Sequence, residues 1–309
     1  MPTLLTRDPS DAVAVLEGGG TCAFPTETVY GLGALARDAE AVEAVFQAKG
    51  RPGDNPLIVH VADLEAVEGV ATMTEMGRRL LEAFAPGPLT VVLPARSGLA
   101  PTVTAGLDTV AVRVPSGIAL EIVRGVGAPV VAPSANRSGR PSPTTWQAVL
   151  EDLDGRIDAI MQGPPTAIGI ESTVVDASSR TPVVLRPGSV TLAQIRDVCP
   201  DARNADHGDG TIRSPGTRHR HYAPRATVTV VDLEDAQPGS DAAWIGVSEP
   251  PDGYGLATVC ADLEDYARRL YDAFRRADAH ELTRIEVERV EGDGIEAALS
   301  DRLRRAAAR

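Results

Sequence analysis

The stretch Ala48-Lys-Gly-Arg-Pro-Gly-Asp-Asn-Pro-Leu-Ile-Val-His-Val61 joins the end of a helix to the start of a strand. The helix is predicted to begin after Asp38, a favourable N-cap residue, and to end at Gly50, a residue type that often follows a helix. The apolar run 57–61 has the length and the composition of a buried strand. A helix followed after a short turn by a strand is the unit from which α/β domains are built.

The same alternation of helical patterns and short apolar runs continues to about residue 200. Further strands are predicted at 89–93, 109–114 and 129–132, and each is followed by a turn that contains proline or serine. The fold class predicted for this part is therefore α/β or α+β. Polar side chains gather where these strands end, which is where such folds usually bind ligands.

The length of 309 residues, with 43% hydrophobic residues, predicts two domains that each have a packed core. The net charge of −13 argues against nonspecific adherence to nucleic acid, although a local basic groove would still be able to bind an anion. Lys49 is the only lysine in the sequence, against 29 arginines. The ammonium group and the planar guanidinium differ most where a cation must fit a crowded anionic centre, so this lysine is a candidate site residue.

Several kinds of site and location are not indicated by the sequence. No apolar run reaches the ~20 residues that a membrane span needs, and the first residues lack the apolar stretch of a signal peptide, so a cytoplasmic location is predicted. Cys22, Cys199 and Cys260 are scattered, which predicts reduced thiols rather than disulfides or a zinc site. His219 and His221 have no neighbouring cysteine or carboxylate, so no metal site is predicted.

A domain boundary is predicted near residue 206, because residues 201–210 have no apolar period. The predicted organisation is a first domain at 1–205, a linker at 206–225 and a small α/β domain at 226–309. The segment 211–225 contains four arginines and no acidic residue. In the last part the pattern predicts strands at 227–231, 242–247 and 284–290, a long amphipathic helix around 263–274, and a final helix.

Two common nucleotide-binding motifs can be compared with the sequence. Gly31-Leu-Gly-Ala-Leu-Ala36 formally fits the G-x-G-x-x-A fingerprint, but it follows 25–30, which lacks the pattern of a buried parallel strand, and Asp54 lies in a turn. The Walker pattern is absent. ATP, if it is used, is therefore expected to be held by another arrangement.

Such an arrangement is suggested by small hydroxyl and amide residues that recur beside cations in tight turns. These segments include Thr26-Glu-Thr28, Lys49 to Asn55, Pro133 to Thr145, Glu171-Ser-Thr173 and Leu185 to Gly188. Arginine binds phosphate and carboxylate oxygens bidentately, and backbone N–H groups in turns form anion sites. Ordinary turn chemistry explains any one of these segments, and their joint presence favours an anion-binding site. His60 is open to two interpretations, a core histidine or a residue that faces a substrate carboxylate.

Five motifs together resemble the threonylcarbamoyl-AMP synthase family in its two-domain form. They are Phe24-Pro-Thr-Glu-Thr-Val-Tyr-Gly-Leu-Gly33, Lys49-Gly-Arg-Pro-Gly-Asp-Asn-Pro-Leu57, Pro86-Gly-Pro-Leu-Thr90, Ala132-Pro-Ser-Ala-Asn136 and Ser214-Pro-Gly-Thr-Arg-His-Arg-His-Tyr-Ala-Pro224. The resemblance implies a YrdC-like twisted, open, mixed sheet flanked by helices, and a small Rossmann-like αβα C-terminal domain.

The resemblance also implies the reaction, in which L-threonine, bicarbonate and ATP with Mg²⁺ give threonylcarbamoyl-adenylate and pyrophosphate for a tRNA modification. The enzyme class is nucleotidyltransferase, and the downstream partners are tRNA threonylcarbamoyl transferase proteins. Tight direct binding of tRNA is not expected from a chain this acidic. Two alternatives stay open: a related enzyme that forms a carbamoyl-adenylate from carbamoyl phosphate, and a non-catalytic RNA-binding protein.

By the same resemblance, individual residues receive roles. The residues implied for ATP are Lys49, Arg51, Asn55, Thr109, Asn136, Ser142, Thr144, Arg186 and Tyr222. The residues implied for threonine are Thr28, His60, Arg113, Ser134 and Ser172. Lys49 and Arg51 are the predicted catalytic cations, because charge develops on the phosphates in the transition state. The linker 206–225 is predicted to act as a lid over the nucleotide.

Overall fold

The computed structural model of the chain describes residues 2–205 and 222–308, and two β-sheets organise them. The first sheet has eleven strands in the order β1-β8-β2-β3-β7-β4-β6-β5-β9-β10-β11. These strands are β1 (Leu4–Thr6), β2 (Cys22–Pro25), β3 (Tyr30–Leu35), β4 (Ile58–His60), β5 (Leu89–Pro94), β6 (Thr109–Arg113), β7 (Val130–Val131), β8 (Ala159–Met161), β9 (Thr173–Asp176), β10 (Val183–Arg186) and β11 (Arg203–Asn204).

Parallel and antiparallel neighbours both occur in this sheet. β4 pairs with β6 in parallel, whereas β7 pairs with β4 and β3 antiparallel. The predicted mixed sheet is therefore confirmed.

Helices flank the large sheet, and their boundaries follow local sequence signals. They are α1 (Pro9–Glu17), α2 (Ala39–Lys49), α3 (Leu64–Val67), α4 (Glu75–Phe84), α5 (Pro101–Thr104), α6 (Ile118–Val126), α7 (Trp146–Leu153) and α8 (Leu192–Val198). α2 confirms the prediction at both ends: the Asp38 carboxylate accepts hydrogen bonds from two backbone amides, and Gly50 has the left-handed φ of 60°. α2 packs Val42, Val45 and Phe46 into the main hydrophobic core.

The glycines of the apparent dinucleotide fingerprint lie inside a strand. Gly31 and Gly33 belong to β3, which runs antiparallel to β2. A Cβ at Gly33 would lie 2.5 Å from a ring carbon of Phe24, so glycine is required there by close packing. The motif therefore lacks the strand-to-helix turn that the dinucleotide fingerprint requires.

The second sheet contains four parallel strands in the order β12-β15-β13-β14. Its elements are β12 (Thr227–Val231), β13 (Ala242–Gly246), β14 (Leu256–Val259), α9 (Leu263–Ala279), β15 (Arg284–Glu288) and α10 (Ile295–Ala307), with a 3₁₀ turn at Leu233–Asp235. β14 was not predicted, because it is a short edge strand directly after a glycine-containing turn. The remaining elements confirm the predicted order.

Both long helices of this part pack against the same face of the four-stranded sheet. Ala243 and Ile245 of β13 share one hydrophobic cluster with Leu270 of α9 and Leu299 of α10. On the opposite face, Trp244 lies near a tyrosine of the 247–255 loop, and loops cover the sheet. The small parallel-sheet domain is confirmed, and its layering differs from αβα in that loops replace the second helix layer within the described residues.

The predicted linker falls mainly outside the described residues, since only 222–225 of it are included. The boundaries 1–205, 206–225 and 226–309 stay predictions, and so does the lid. Among residues 2–205 and 222–308, no helix has both the length and the apolar composition needed to cross a bilayer.

Candidate active site

One cavity collects most of the residues that the sequence singled out. It is lined by ten of them: Thr28, Lys49, Arg51, His60, Arg113, Ser134, Asn136, Ser172, Arg186 and Tyr222. Four others, Asn55, Thr109, Ser142 and Thr144, are buried but outside the lining. The roles of all fourteen residues stay predictions.

Several cavity residues lie close together because they stand at the ends of neighbouring strands. The neighbouring parallel strands β4 and β6 place His60 directly opposite Arg113 in register, at the carboxyl end of both. Arg186 is the last residue of β10. Side chains at the ends of different strands thus meet at one edge of the sheet although they are distant in sequence.

Lys49 occupies the last position of α2 and is 2% exposed. Its Nζ atom donates to the carbonyl oxygens of Ser134 at 2.5 Å and Asn136 at 2.6 Å. Burial, together with the nearby charge of Arg51, holds the pKa of Lys49 well below its usual value. An ammonium has three donors, so one donor remains available to a ligand after these two bonds.

Arg51 lies just beyond the end of α2, and backbone carbonyls hold its guanidinium. Its Nε donates to the carbonyl of Asn55 at 3.1 Å, and its Nη2 donates to that of Pro56 at 2.8 Å. Burial lowers the pKa of Arg51 to about 10, so the side chain is charged at neutral pH. The buried Lys49 and the partly buried Arg51 both have neutral hydrogen-bond partners, and they make this wall of the cavity a site for anions.

Arg113 forms the centre of a second group of residues. Its guanidinium pairs with Glu27 at 2.7 Å and donates to the Thr28 hydroxyl at 3.1 Å and to the carbonyl of Gly87 at 3.1 Å. The Thr28 hydroxyl lies 2.8 Å from that of Thr26. Glu27 therefore fixes the arginine that lines the cavity, and the sequence interpretation did not assign it a role.

His60 lies buried in this second group. Neither of its ring nitrogens has a hydrogen-bond partner among the described residues. Burial, reinforced by the charge of Arg113, lowers the pKa of His60 to about 3. The imidazole is therefore neutral at physiological pH, and its two ring nitrogens offer one donor and one acceptor to a ligand. This geometry favours the second interpretation of His60 over that of a satisfied core histidine.

Arg186 and Ser172 form a third group. Arg186 donates through Nη2 to the Ser172 carbonyl at 2.8 Å and to its hydroxyl at 3.2 Å, and the hydroxyl also lies 2.8 Å from that of Thr90. The preceding residue, Glu171, also lines the cavity, and its carboxylate accepts from the Ser142 hydroxyl at 2.5 Å. Ser142 is thus one hydrogen bond behind the cavity wall.

Tyr222 closes part of the cavity and is held by residues of the C-terminal part. Its φ of 65° lies in the left-handed region, which is unusual for a residue other than glycine. The ring stacks on Tyr271 with 5.5 Å between centroids, and the Arg302 guanidinium lies 5.5 Å from the Tyr222 ring centroid. The cation–π contact and the stacking both fix the ring at the cavity.

Five residues of this network were missed by the sequence interpretation: Glu27, Glu171, Tyr271, Arg302 and Arg275, whose guanidinium donates to the carbonyl of Pro141 across 134 residues. The two glutamates each stand inside a quoted motif, beside hydroxyl residues, and that position was an available signal. For the three C-terminal residues no local signal existed, because Tyr271 and Arg302 contact Glu171 across 100 and 131 residues.

Thr109, one of the four residues outside the lining, lies at the opposite end of its strand from the cavity. It begins β6, whereas the cavity residue Arg113 ends that strand, a separation of roughly 13 Å at the usual rise per residue. Asn55 supplies its carbonyl to Arg51, and the Thr144 carbonyl accepts from the Thr166 amide at 2.9 Å. Asn55 is thus one hydrogen bond behind the cavity wall, whereas neither Thr109 nor Thr144 is connected to a lining residue by these contacts.

Known families match nearly the whole chain. A family model covering Sua5, YciO and YrdC proteins, described as telomere recombination, matches residues 14–188, and a model of the threonylcarbamoyl-AMP synthase C-terminal domain matches 190–308. The threonylcarbamoyl-AMP synthase of Bacillus subtilis is 41% identical to this chain, and the match covers 98% of this chain and 94% of the relative. The threonylcarbamoyl-AMP synthase of Pyrococcus abyssi is 42% identical, and the match covers 96% of this chain and 92% of the relative. The solved structure of P. abyssi Sua5 complexed with L-threonine is similar with a TM-score of 0.90 and 39% identity, covering 99% of this chain and 96% of that one. The chain therefore belongs to the threonylcarbamoyl-AMP synthase family.

Proposed function

We propose that this protein is an L-threonylcarbamoyladenylate synthase, a nucleotidyltransferase that converts L-threonine, bicarbonate and ATP to threonylcarbamoyl-AMP and pyrophosphate. The observation that supports this most directly is a single cavity lined by four cations and one neutral histidine. Lys49, Arg113 and Arg186 are buried, and Arg51 is partly buried. All the proposed substrates carry anionic groups, and such groups are bound most strongly by charged donors in a dry site.

Three of the five residues assigned to threonine, Thr28, His60 and Arg113, form one connected group. Arg113 and Thr28 are hydrogen bonded, and His60 is the register partner of Arg113. We assign the threonine carboxylate to Arg113, because its guanidinium is fixed by Glu27 and faces the cavity. His60 acts as a neutral hydrogen-bond partner, since a group with a pKa of about 3 is too weak a base to deprotonate an amine at neutral pH.

Four of the residues assigned to ATP form a second group, which contains the cations Lys49 and Arg51. Lys49 is bonded to the carbonyl of Asn136, and Arg51 to that of Asn55. In the proposed reaction the neutral threonine amine attacks the carbon of bicarbonate, or of an activated form of it, and a carbon–oxygen bond of bicarbonate breaks with loss of water. An oxygen of the resulting carbamate then attacks the α-phosphorus and expels pyrophosphate. Lys49 and Arg51 stabilise the negative charge that develops on the phosphate oxygens.

Mg²⁺ is proposed to enter with ATP. Within the described part of the chain, no group of three or more His, Cys, Asp or Glu residues is placed to hold a metal ion. Glu171, the carboxylate found in the cavity lining, is already bonded to Ser142, Tyr271 and Arg302. The protein residues therefore fit a triphosphate, and Mg²⁺ takes its oxygen ligands from the phosphates and water.

The proposed product is passed on to tRNA threonylcarbamoyl transferase proteins through transient contact. A net charge of −13 disfavours tight direct binding of tRNA by this chain.

One assay tests the function. The purified protein is incubated with Mg²⁺, ATP, bicarbonate and single amino acids, and both pyrophosphate and the mass of the adenylate are measured. Pyrophosphate release that depends on threonine and bicarbonate, with the threonylcarbamoyl-AMP mass, is expected. Release with carbamoyl phosphate instead of threonine would favour the carbamoyl-adenylate alternative. Tight tRNA binding without any turnover would favour the RNA-binding alternative.

A further inference from the structure

One face of α9 contacts the wall of the candidate active site at two points. Tyr271 and Arg275 are four residues apart on this helix and therefore lie on the same face. The Tyr271 hydroxyl donates to the Glu171 carboxylate at 3.0 Å. Arg275 donates through Nη2 to the Pro141 carbonyl at 2.6 Å and to Asp152 at 3.0 Å.

Both contacts act on the short segment 141–144, which contains two of the residues assigned to ATP. Arg275 binds the carbonyl that directly precedes Ser142. Tyr271 reaches the Ser142 hydroxyl through Glu171, since this hydroxyl donates its proton to the same carboxylate. The other side of the segment is fixed by Tyr30, whose amide donates to the Pro143 carbonyl at 2.9 Å.

Glu171 is an ionised centre of this network. Burial alone would raise its pKa, but the positive charges of Arg302 and Arg186 and the hydrogen bond from Ser142 outweigh burial, and the pKa is lowered. Arg302, which is fully buried, donates to the Glu171 carboxylate at 2.9 Å. An ionised carboxylate accepts hydrogen bonds only, so the Ser142 proton is directed toward it and the Ser142 hydroxyl is held against the residue that lines the cavity.

The close approach of α9 to the first domain depends on a glycine at position 169. Gly169 has a φ of 86°, and a Cβ at this position would lie 2.3 Å from the Cα of Arg268 in α9. The Gly169 amide donates to the Thr28 carbonyl at 3.0 Å. The backbone of α9 thus rests on a loop that is bonded to the cavity residue Thr28.

We propose that Tyr271 and Arg275, on one face of α9, are positioning residues of the synthase site: they hold the cavity residue Glu171 and the Pro141 carbonyl, so that the segment 141–144 keeps its place directly behind the wall of the nucleotide site. This proposal rests on the proposed function for the identity of the nucleotide. The C-terminal part of the chain thereby sets the affinity of a site whose cavity is formed mainly by the first 205 residues.

The Tyr271→Phe variant tests the proposal with a minimal change. It removes one hydrogen bond to Glu171 and keeps the ring that stacks on Tyr222. The apparent KM for ATP is expected to rise about tenfold, as for the loss of one charge-assisted hydrogen bond, while kcat changes little. Tyr254→Phe is the matched control, because the Tyr254 hydroxyl also donates to a buried carboxylate, that of Glu286, and neither residue lines the cavity. Its KM for ATP is expected to equal that of the unaltered protein.

A double-mutant cycle with Ser142→Ala tests the route of the effect. If Tyr271 acts through Glu171 on Ser142, Tyr271→Phe adds little to the rise in KM once the Ser142 hydroxyl is absent. An additive effect in the double variant would overturn this route, and an unchanged KM for ATP in Tyr271→Phe would overturn the proposal. Thermal unfolding of each variant shows whether a change in KM merely follows a loss of stability.

Calorimetric titration with Mg-ATP distinguishes failure of this proposal from failure of the proposed function. If the unaltered protein binds ATP but releases no pyrophosphate with threonine, the function is wrong, and a weaker Kd for ATP in Tyr271→Phe but not in Tyr254→Phe still supports the positioning role. If the unaltered protein turns over normally and both variants bind ATP equally well, the positioning role alone is wrong. A protein that binds no ATP at all contradicts both.

Discussion

The ammonium of Lys49 lies 2.5 Å from the carbonyl oxygen of Ser134, although the two residues are 85 positions apart in the chain. A second bond, to the carbonyl of Asn136, ties the end of α2 to the loop that follows β7. The lysine therefore serves the geometry of the site as well as its charge. A guanidinium is larger and planar, so it does not fit between two carbonyls in this way.

Replacement of Lys49 by arginine is expected to preserve the fold and to lower threonine-dependent pyrophosphate release roughly a hundredfold, the size of effect seen when one oxyanion donor is lost. Steady-state kinetics with ATP as the varied substrate measure this effect. Arg51→Lys is the reciprocal exchange, which keeps the charge and removes the two-point binding to backbone carbonyls. Near-normal turnover in Lys49→Arg would contradict a specific role for the ammonium.

Glu27→Gln is expected to raise the KM for threonine about tenfold and to leave the KM for ATP nearly unchanged. The reason is that Glu27 pairs with Arg113, the residue assigned to the threonine carboxylate, in a largely buried position. Glu75→Gln is a suitable control, because the Glu75–Arg79 pair is exposed and such pairs contribute little. Equal effects on the two KM values would show that Glu27 does not act selectively on the threonine group.

His60 makes stability depend on pH in a defined direction. Its folded-state pKa of about 3 lies below the ordinary value of 6.5, so between these values the unfolded chain binds a proton that the folded chain does not. The contribution of His60 to the free energy of unfolding is fully present above pH 6.5. Between pH 6.5 and about 3 this contribution decreases by about 1.4 kcal/mol for each unit by which the pH falls. Chemical denaturation from pH 7.5 to 5 should show a shallower decline for His60→Gln than for the unaltered protein. Parallel curves would contradict the assignment.

Arg302→Met is expected to lower the free energy of unfolding by about 3–5 kcal/mol, because it leaves the Glu171 carboxylate buried without its closest cation. The double variant Arg302→Met with Glu171→Gln should recover part of this loss, since the uncompensated charge is then gone. Arg289→Met breaks an exposed pair with Asp232 and should change stability by less than about 1 kcal/mol. Denaturant titration compares all three, and a double variant less stable than Arg302→Met would refute this account.

Gly169→Ala is expected to disturb the contact between α9 and the first domain. The left-handed φ disfavours alanine, and the new methyl group would collide with the α9 backbone, so a loss of stability of more than about 1 kcal/mol is expected. Gly127→Ala is the control, since Gly127 has a similar φ of 63° and a Cβ added there would meet no atom within 4 Å. A similar loss in both variants would assign the effect to backbone strain alone.

Local sequence patterns determined the elements that depend on neighbouring residues. Asp38 and Gly50 define the two ends of α2, because capping and left-handed termination are decided within one helical turn. The apolar runs around His60 and Arg113 identify β4 and β6, because a strand buried on both faces needs a continuous apolar sequence. The short edge strand β14 lacks such a run and escaped prediction.

The motifs also indicated most of the residues that line the cavity, but only the tertiary structure decided which groups meet and in which protonation state. The sequence shows Lys49, His60 and Arg113 as three residues in three segments; the fold buries them together, and burial lowers the pKa of Lys49 and His60. The contacts of Glu171 with Tyr271 and Arg302 span 100 and 131 residues, and no local pattern encodes them. Helix caps and hydrophobic periodicity depend on residues that are close in the sequence, so they can be predicted from it. Charge pairing across the domains depends on distances that exist only after the chain has folded.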